Sequence, residues 1–152
     1  MGKENKYIEK KLLRFLSFRM RSRKEVFDYL IKNDVDDDFA GILIEKYEGL
    51  GYIDDDAFTK AWINDRIRFK AYSKRMIASE LKNKGVDNNI IEKYIDGIDD
   101  VQHQCAIRNL KKRYKTMDTD NRKMISFLLR KGFEYNVAKK AVNDFCEEKE
   151  EV

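Results

Sequence analysis

Proline is absent from this chain of 152 residues, which also has one histidine, one tryptophan, two cysteines and only seven glycines. Each scarcity excludes something. Without proline, and with Lys, Glu, Leu and Ile abundant, nothing interrupts helices, and they are expected to run unbroken between turns. Cys105 and Cys146 have neither metal-type spacing nor further partners, so reduced thiols are expected rather than a disulfide framework. With His103 the only imidazole, and with no Gly-rich phosphate loop, the chain has no Ser-His-Asp or Cys-His constellation. It is therefore not expected to be an enzyme or to carry a cofactor or metal. No apolar run approaches the ~18 residues a bilayer span requires, and the charged start is unlike a signal peptide. A cytoplasmic protein without a membrane partner is expected.

What is present is a repeat. Residues 22 to 48, 73 to 99 and 120 to 146 read as one unit written three times. The first copy carries Ser22, Val26, Leu30, Val35, Asp36, Phe39 and Ile44. The second carries Ser73, Ile77, Leu81, Val86, Asp87, Ile90 and Ile95, at an offset of 51. The third, a further 47 on, carries Asp120, Met124, Leu128, Phe133, Glu134, Val137 and Val142. Such a unit cannot bury its apolar face alone, so copies stack on neighbours. The fold expected is all-α: a tandem array of three three-helix repeats, elongated and curved. Its modules would be residues 1–49, 50–100 and 101–152.

Local chemistry sharpens this. Ser22-Arg23-Lys24-Glu25 is a capping box, and Asp54, Asp36 and Asp87 are placed to cap helices. Turns are expected at Asn33-Asp34, Lys84-Gly85 and Lys131-Gly132, where a left-handed residue closes a helix, and Gly49-Leu50-Gly51 reads as a linker. The first helix of each module would bury Ile8, Leu12, Phe15 and Leu16; Phe58, Ala61, Trp62 and Phe69; and His103, Ala106, Ile107, Leu110 and Tyr114. The acidic triplets Asp54-Asp55-Asp56 and Asp36-Asp37-Asp38 suit helix starts better than a metal, because consecutive residues there diverge and complement the helix dipole.

Charge is sorted along the chain. Residues 10–24 hold seven basic and no acidic side chains, and residues 25–56 hold eleven acidic against two basic. The alternation continues through 57–86 (eight basic, two acidic), 87–100 (five acidic, one basic) and 101–133 (nine basic, two acidic). Stacking the modules would align the basic segments into one stripe. Its candidate members are Arg19, Arg21, Arg23 and Lys24; Arg66, Arg68, Lys70, Lys74 and Arg75, with Phe69 and Tyr72 interleaved; and Lys111, Lys112 and Arg113. All lie near the junction between a module's first and second helices, where arginine can grip phosphate or carboxylate and stack on bases.

Several segments resemble a known family. Gly51-Tyr52-Ile53-Asp54-Asp55-Asp56-Ala57-Phe58, followed by Arg66, Ile77, Glu80, Leu81, Lys84, Gly85 and Val86, resembles the RecX family. Leu16, Arg19, Arg21, Ser22, Glu25, Val26 and Leu30 look like that family's opening segment, and Leu128, Arg130, Lys131, Gly132 and Phe133 agree in the third module. Ser73 and Lys74 depart from it, standing where the family often has Gly-Pro. The resemblance implies a regulator that binds the RecA filament, contacts single- or double-stranded DNA weakly or through the filament, and obstructs recombinase activity; a monomer is expected. The alternative is a free-standing, non-specific DNA-binding protein. A base-reading helix-turn-helix is disfavoured, since Asp87 to Asp96 carries Asp87, Glu92 and Asp96 against Lys93 alone, the wrong balance beside phosphates.

Overall fold

The computed structural model describes residues 2–115 and 119–150. Among the described residues there are nine α-helices and no strand: α1 (Gly2–Phe18), α2 (Arg23–Lys32), α3 (Asp37–Gly49), α4 (Asp55–Asp65), α5 (Lys74–Asn83), α6 (Asn88–Ile95), α7 (Asp99–Arg113), α8 (Asn121–Arg130) and α9 (Tyr135–Glu150). A π turn, Arg66–Lys70, follows α4, and a 3-10 turn, Asp96–Ile98, leads into α7.

The apolar residues gather into three cores in series, one for each successive helix triplet. Leu12, Val26, Leu30, Leu43 and Ile44 centre the first. Phe58, Ile77, Leu81, Ile91 and Ile95 centre the second. Leu110, Met124, Leu128, Val142 and Phe145 centre the third. Serial cores leave more surface than one shared core. The accessible surface is 10333 Å², against about 8,100 Å² for a compact monomer of this mass.

The caps form as their chemistry dictates. Ser22 accepts the Glu25 N–H at 3.1 Å while the Glu25 carboxylate accepts the Ser22 N–H at 3.0 Å, completing the capping box. Asp36, Asp54, Ser73, Asp87 and Asp120 each accept a first-turn N–H. The middle helices end at left-handed residues: Asp34 (φ 65°), Gly85 (φ 78°) and Gly132 (φ 97°).

Two of these features also join the triplets. The Ser22 hydroxyl donates to the Lys84 carbonyl at 2.6 Å, and the Ser73 hydroxyl donates to the Lys131 carbonyl at 2.8 Å. Each serine is buried. It therefore caps its own helix and ties that helix to the turn of the next triplet. Gly85 and Gly132 permit the approach: a Cβ on Gly85 would overlap the Lys24 side chain, and one on Gly132 would come within 2.5 Å of the Ser73 Oγ. A second bond accompanies each tie, from the Arg23 N–H to Asp55 (2.8 Å) and from the Lys74 N–H to Gln102 (2.9 Å).

Some expected core positions are corrected. Phe69 is 67% exposed, not buried. The π turn adds a residue to the helical turn, so the phase carried along α4 is lost there; Ala71, left-handed at φ 52°, enters the core instead. In α7 the fully buried positions are Gln102, Cys105, Ala106 and Leu110. His103 and Ile107 are only partly buried, and the His103 Nε2 lies 2.8 Å from Asp144 rather than against an apolar face. Trp62 is also only partly buried, with Thr59 and Ile63 taking the buried positions of α4.

Candidate partner interface

The twelve basic side chains at the helix junctions fall into two groups. Six are engaged within the fold. Arg19 pairs with Glu25. Arg21 stacks over Phe15 at 3.9 Å and donates to the Phe15 carbonyl. Arg23 lies 3.4 Å from Glu48. Arg66 pairs with Glu80 at 3.0 Å and stacks on Trp62 at 4.2 Å, so it braces α4 against α5. Lys74 bridges Asp99 (2.8 Å) and Asp96 (3.5 Å), linking α5 to the start of α7. Lys111 lies 3.6 Å from Glu148.

The remaining six face outward more freely. Arg68 sits over the Phe69 ring at 5.3 Å and Arg113 over the Tyr114 ring at 5.7 Å, and both cations are exposed. Lys24, Lys70, Arg75 and Lys112 are exposed and have no ion pair among the described residues. Exposed ion pairs contribute little, so even Arg23 and Lys111 can exchange partners at small cost, whereas Arg66 and Lys74 are tied into the packing.

Two cations outside this set also shape the region. Lys84 reaches back to Glu25 at 3.4 Å, across the first junction, and lies over Trp62 at 5.3 Å. Arg108 donates to the carbonyls of Ile67 (2.6 Å) and Arg68 (2.8 Å), and Asn109 donates to that of Ala71 (2.8 Å). These side chains fasten the π turn from α7. Their partners are about forty residues away in sequence, so no local spacing signals them.

Electrostatics reinforce the junctions. Burial pushes the Glu25 carboxyl up, but hydrogen bonds from Arg19 and the Ser22 N–H hold it below its ordinary range. The Asp99 hydrogen bond raises Lys74. Burial raises Asp55, and its bond from the Arg23 N–H offsets this only in part. The triplet Asp54-Asp55-Asp56 diverges: Asp54 caps α4, Asp55 holds Arg23, and Asp56 accepts the Tyr94 hydroxyl at 2.7 Å.

Each junction leaves a cleft of mixed charge. The first, about 500 Å³, includes Arg23, Glu48, Asp55, Gly85 and Asp87. The second, about 560 Å³, includes Lys74, Asp99, Gln102, Gly132 and Glu134. Neither assembles a nucleophile with a base, and the first is net acidic, with Glu48, Asp54, Asp55, Asp56 and Asp87 against Arg23.

Comparison with known proteins identifies this architecture. Residues 10–46 match the description "RecX, first three-helix domain" and residues 54–95 match "RecX, second three-helix domain". A Regulatory protein RecX from Finegoldia magna is 33% identical over 84% of this chain and 66% of its own length. One from Mycobacterium avium is 33% identical over 83% of this chain and 77% of its own. A crystal structure of RecX from Lactobacillus salivarius superposes with a TM-score of 0.84 at 25% identity, covering 95% of this chain and 98% of that one. The three capped helix triplets, each turned at a left-handed residue, are thus those of a known fold, and the chain belongs to the RecX family of regulatory proteins.

Proposed function

We propose that the chain binds along a RecA–DNA filament and modulates, chiefly by inhibition, recombinase and ATPase activity in DNA repair and recombination. The observation that carries this reading is the recurrence of outward cations without ion pairs, Lys24, Lys70, Arg75 and Lys112, near the junction between first and second helices in each triplet. Outward cations that recur in every triplet of a serial scaffold suit a partner that is itself long and anionic. The mechanism is obstruction: a bound array blocks strand exchange or filament growth without doing chemistry. A cytoplasmic monomer fits this reading.

Co-sedimentation with preassembled RecA–single-stranded DNA filaments tests it. The variant Lys24→Glu/Lys70→Glu/Lys112→Glu should keep its helicity, since exposed substitutions cost little, and should lose filament binding. Glu45→Lys/Glu92→Lys should bind as well as the parent or better. Parent binding should weaken as salt rises. Equal loss in both variants, or in neither, would place recognition elsewhere. The second reading, free-standing DNA binding, predicts equal capture by naked DNA.

A further inference from the structure

The π turn presents a side chain that the fold does not use. Arg66–Lys70 is a π-helical turn, a rare conformation concentrated at functional sites. It ends at Ala71, a non-glycine residue held left-handed at φ 52°, and such strain persists only where surroundings enforce it. Arg108 and Asn109 do so here, through the carbonyls of Ile67, Arg68 and Ala71. What the fastened turn displays is Phe69, 67% exposed, with the Arg68 guanidinium 5.3 Å from its ring centroid and unpaired Lys70 beside it.

The first triplet repeats this display. Phe18 lies 51 positions before Phe69, the offset of the repeat itself, and is 72% exposed. Its segment is also held: Arg21 donates to the Phe15 carbonyl and Arg19 to that of Met20. A lone exposed phenylalanine is ordinary. Two at equivalent repeat positions, each the most exposed large apolar residue of its triplet and each on a braced helix end, are not explained by packing. The corresponding position of the third triplet is Thr116, which carries no ring and lies outside the described residues.

We infer that Phe18 and Phe69 are stacking platforms for the unpaired bases of single-stranded DNA, with Arg68 and Lys70 engaging its phosphates. Residues 66–75, Arg-Ile-Arg-Phe-Lys-Ala-Tyr-Ser-Lys-Arg, contain no acidic side chain. An aromatic plane set among cations is the pairing that a single strand, with π faces and phosphates alternating, can satisfy at both points. A duplex hides its base faces and satisfies only the cations. This site is separate from filament binding as such, since it acts on naked DNA.

Fluorescence anisotropy with labelled oligo(dT), and with a duplex of equal length, tests the inference. Phe18→Ala and Phe69→Ala should each weaken oligo(dT) binding by roughly 5- to 100-fold and leave duplex binding and the thermal midpoint nearly unchanged. Phe69→Trp should restore binding, and Phe69→Leu should not. The inference is overturned if the parent does not bind oligo(dT), if Phe69→Ala binds it like the parent, if duplex binding falls equally, or if Phe69→Leu restores it. Loss of RecA–DNA filament capture with unchanged oligo(dT) affinity would overturn it too, assigning Phe69 to a protein contact.

Discussion

The Ser73 hydroxyl donates to the carbonyl of Lys131 at 2.8 Å while its oxygen accepts the Met76 N–H at 3.2 Å. One buried side chain thus starts a helix and fastens the next triplet, and the hydroxyl does both through a single atom. Aspartate caps as well as serine, but an ionised carboxylate has no proton to give.

Ser73→Ala should therefore destabilise the chain by roughly 1–3 kcal/mol, combining a lost cap with a buried carbonyl left unpaired. Ser73→Asp should recover none of the junction contribution, because a carboxylate would face the Lys131 carbonyl. Asp120→Ser, at the cap that ties to no further triplet, should change stability by less than about 0.5 kcal/mol. Urea denaturation midpoints at constant slope measure all three.

Gly85 and Asp34 hold equivalent left-handed turns, at φ 78° and φ 65°, but only Gly85 is overlain by a neighbouring side chain, that of Lys24. Gly85→Ala should cost about 2–4 kcal/mol from left-handed strain plus overlap. Asp34→Gly should be near neutral, within about 1 kcal/mol. Similar effects at the two sites would show that crowding at the junction contributes nothing.

Leu81 is fully buried in the second core. Leu81→Ala should cost about 2–5 kcal/mol, whereas Ile42→Ala, at a side chain 61% exposed, should stay within about 0.5 kcal/mol. Thermal unfolding followed by circular dichroism separates the two.

Asp55 gives a pH dependence with a definite sign. Burial raises its folded-state pKa above the unfolded value, so its contribution to stability is complete below the unfolded pKa and is lost as pH rises through the folded one. Asp55→Asn keeps an acceptor for the Arg23 N–H, as Gln102 does for Lys74, and removes this titration. The variant should match the parent near pH 3, then equal or exceed its stability at pH 7. A parent that gains stability over the variant on going from pH 4 to pH 7 would contradict this.

The repeat was readable because its signals are local. Ser22, Asp36, Asp54, Ser73 and Asp87 cap helices whose first turns lie within three residues of them, and apolar spacing located Leu30, Leu81 and Leu128 in their cores. Phe69 was misplaced because a π turn breaks the period that such reasoning carries forward. His103 was misplaced because it lies at the edge of the α7 stripe, where the neighbouring Gln102 takes the buried position beside Cys105 and Ala106. The basic positions were visible as residue types, but their division into bracing and outward cations was not. Glu80, fourteen residues beyond Arg66, and Asp99, twenty-five beyond Lys74, decide it. The serine ties span 62 and 58 residues and leave no local trace.

A junction made by one face of a triplet meeting the opposite face of the next is head-to-tail, and head-to-tail contacts grow into fibres when nothing stops them. The tie is not repeated at the first turn or at the third cap. The first turn has Asp34, left-handed like Gly85 and Gly132 but carrying a Cβ. The trailing face offers Asp120, which lacks the hydroxyl proton of Ser22 and Ser73. Because an ionised Asp120 has no proton to donate, the serine tie of the two described junctions is not available at the third cap.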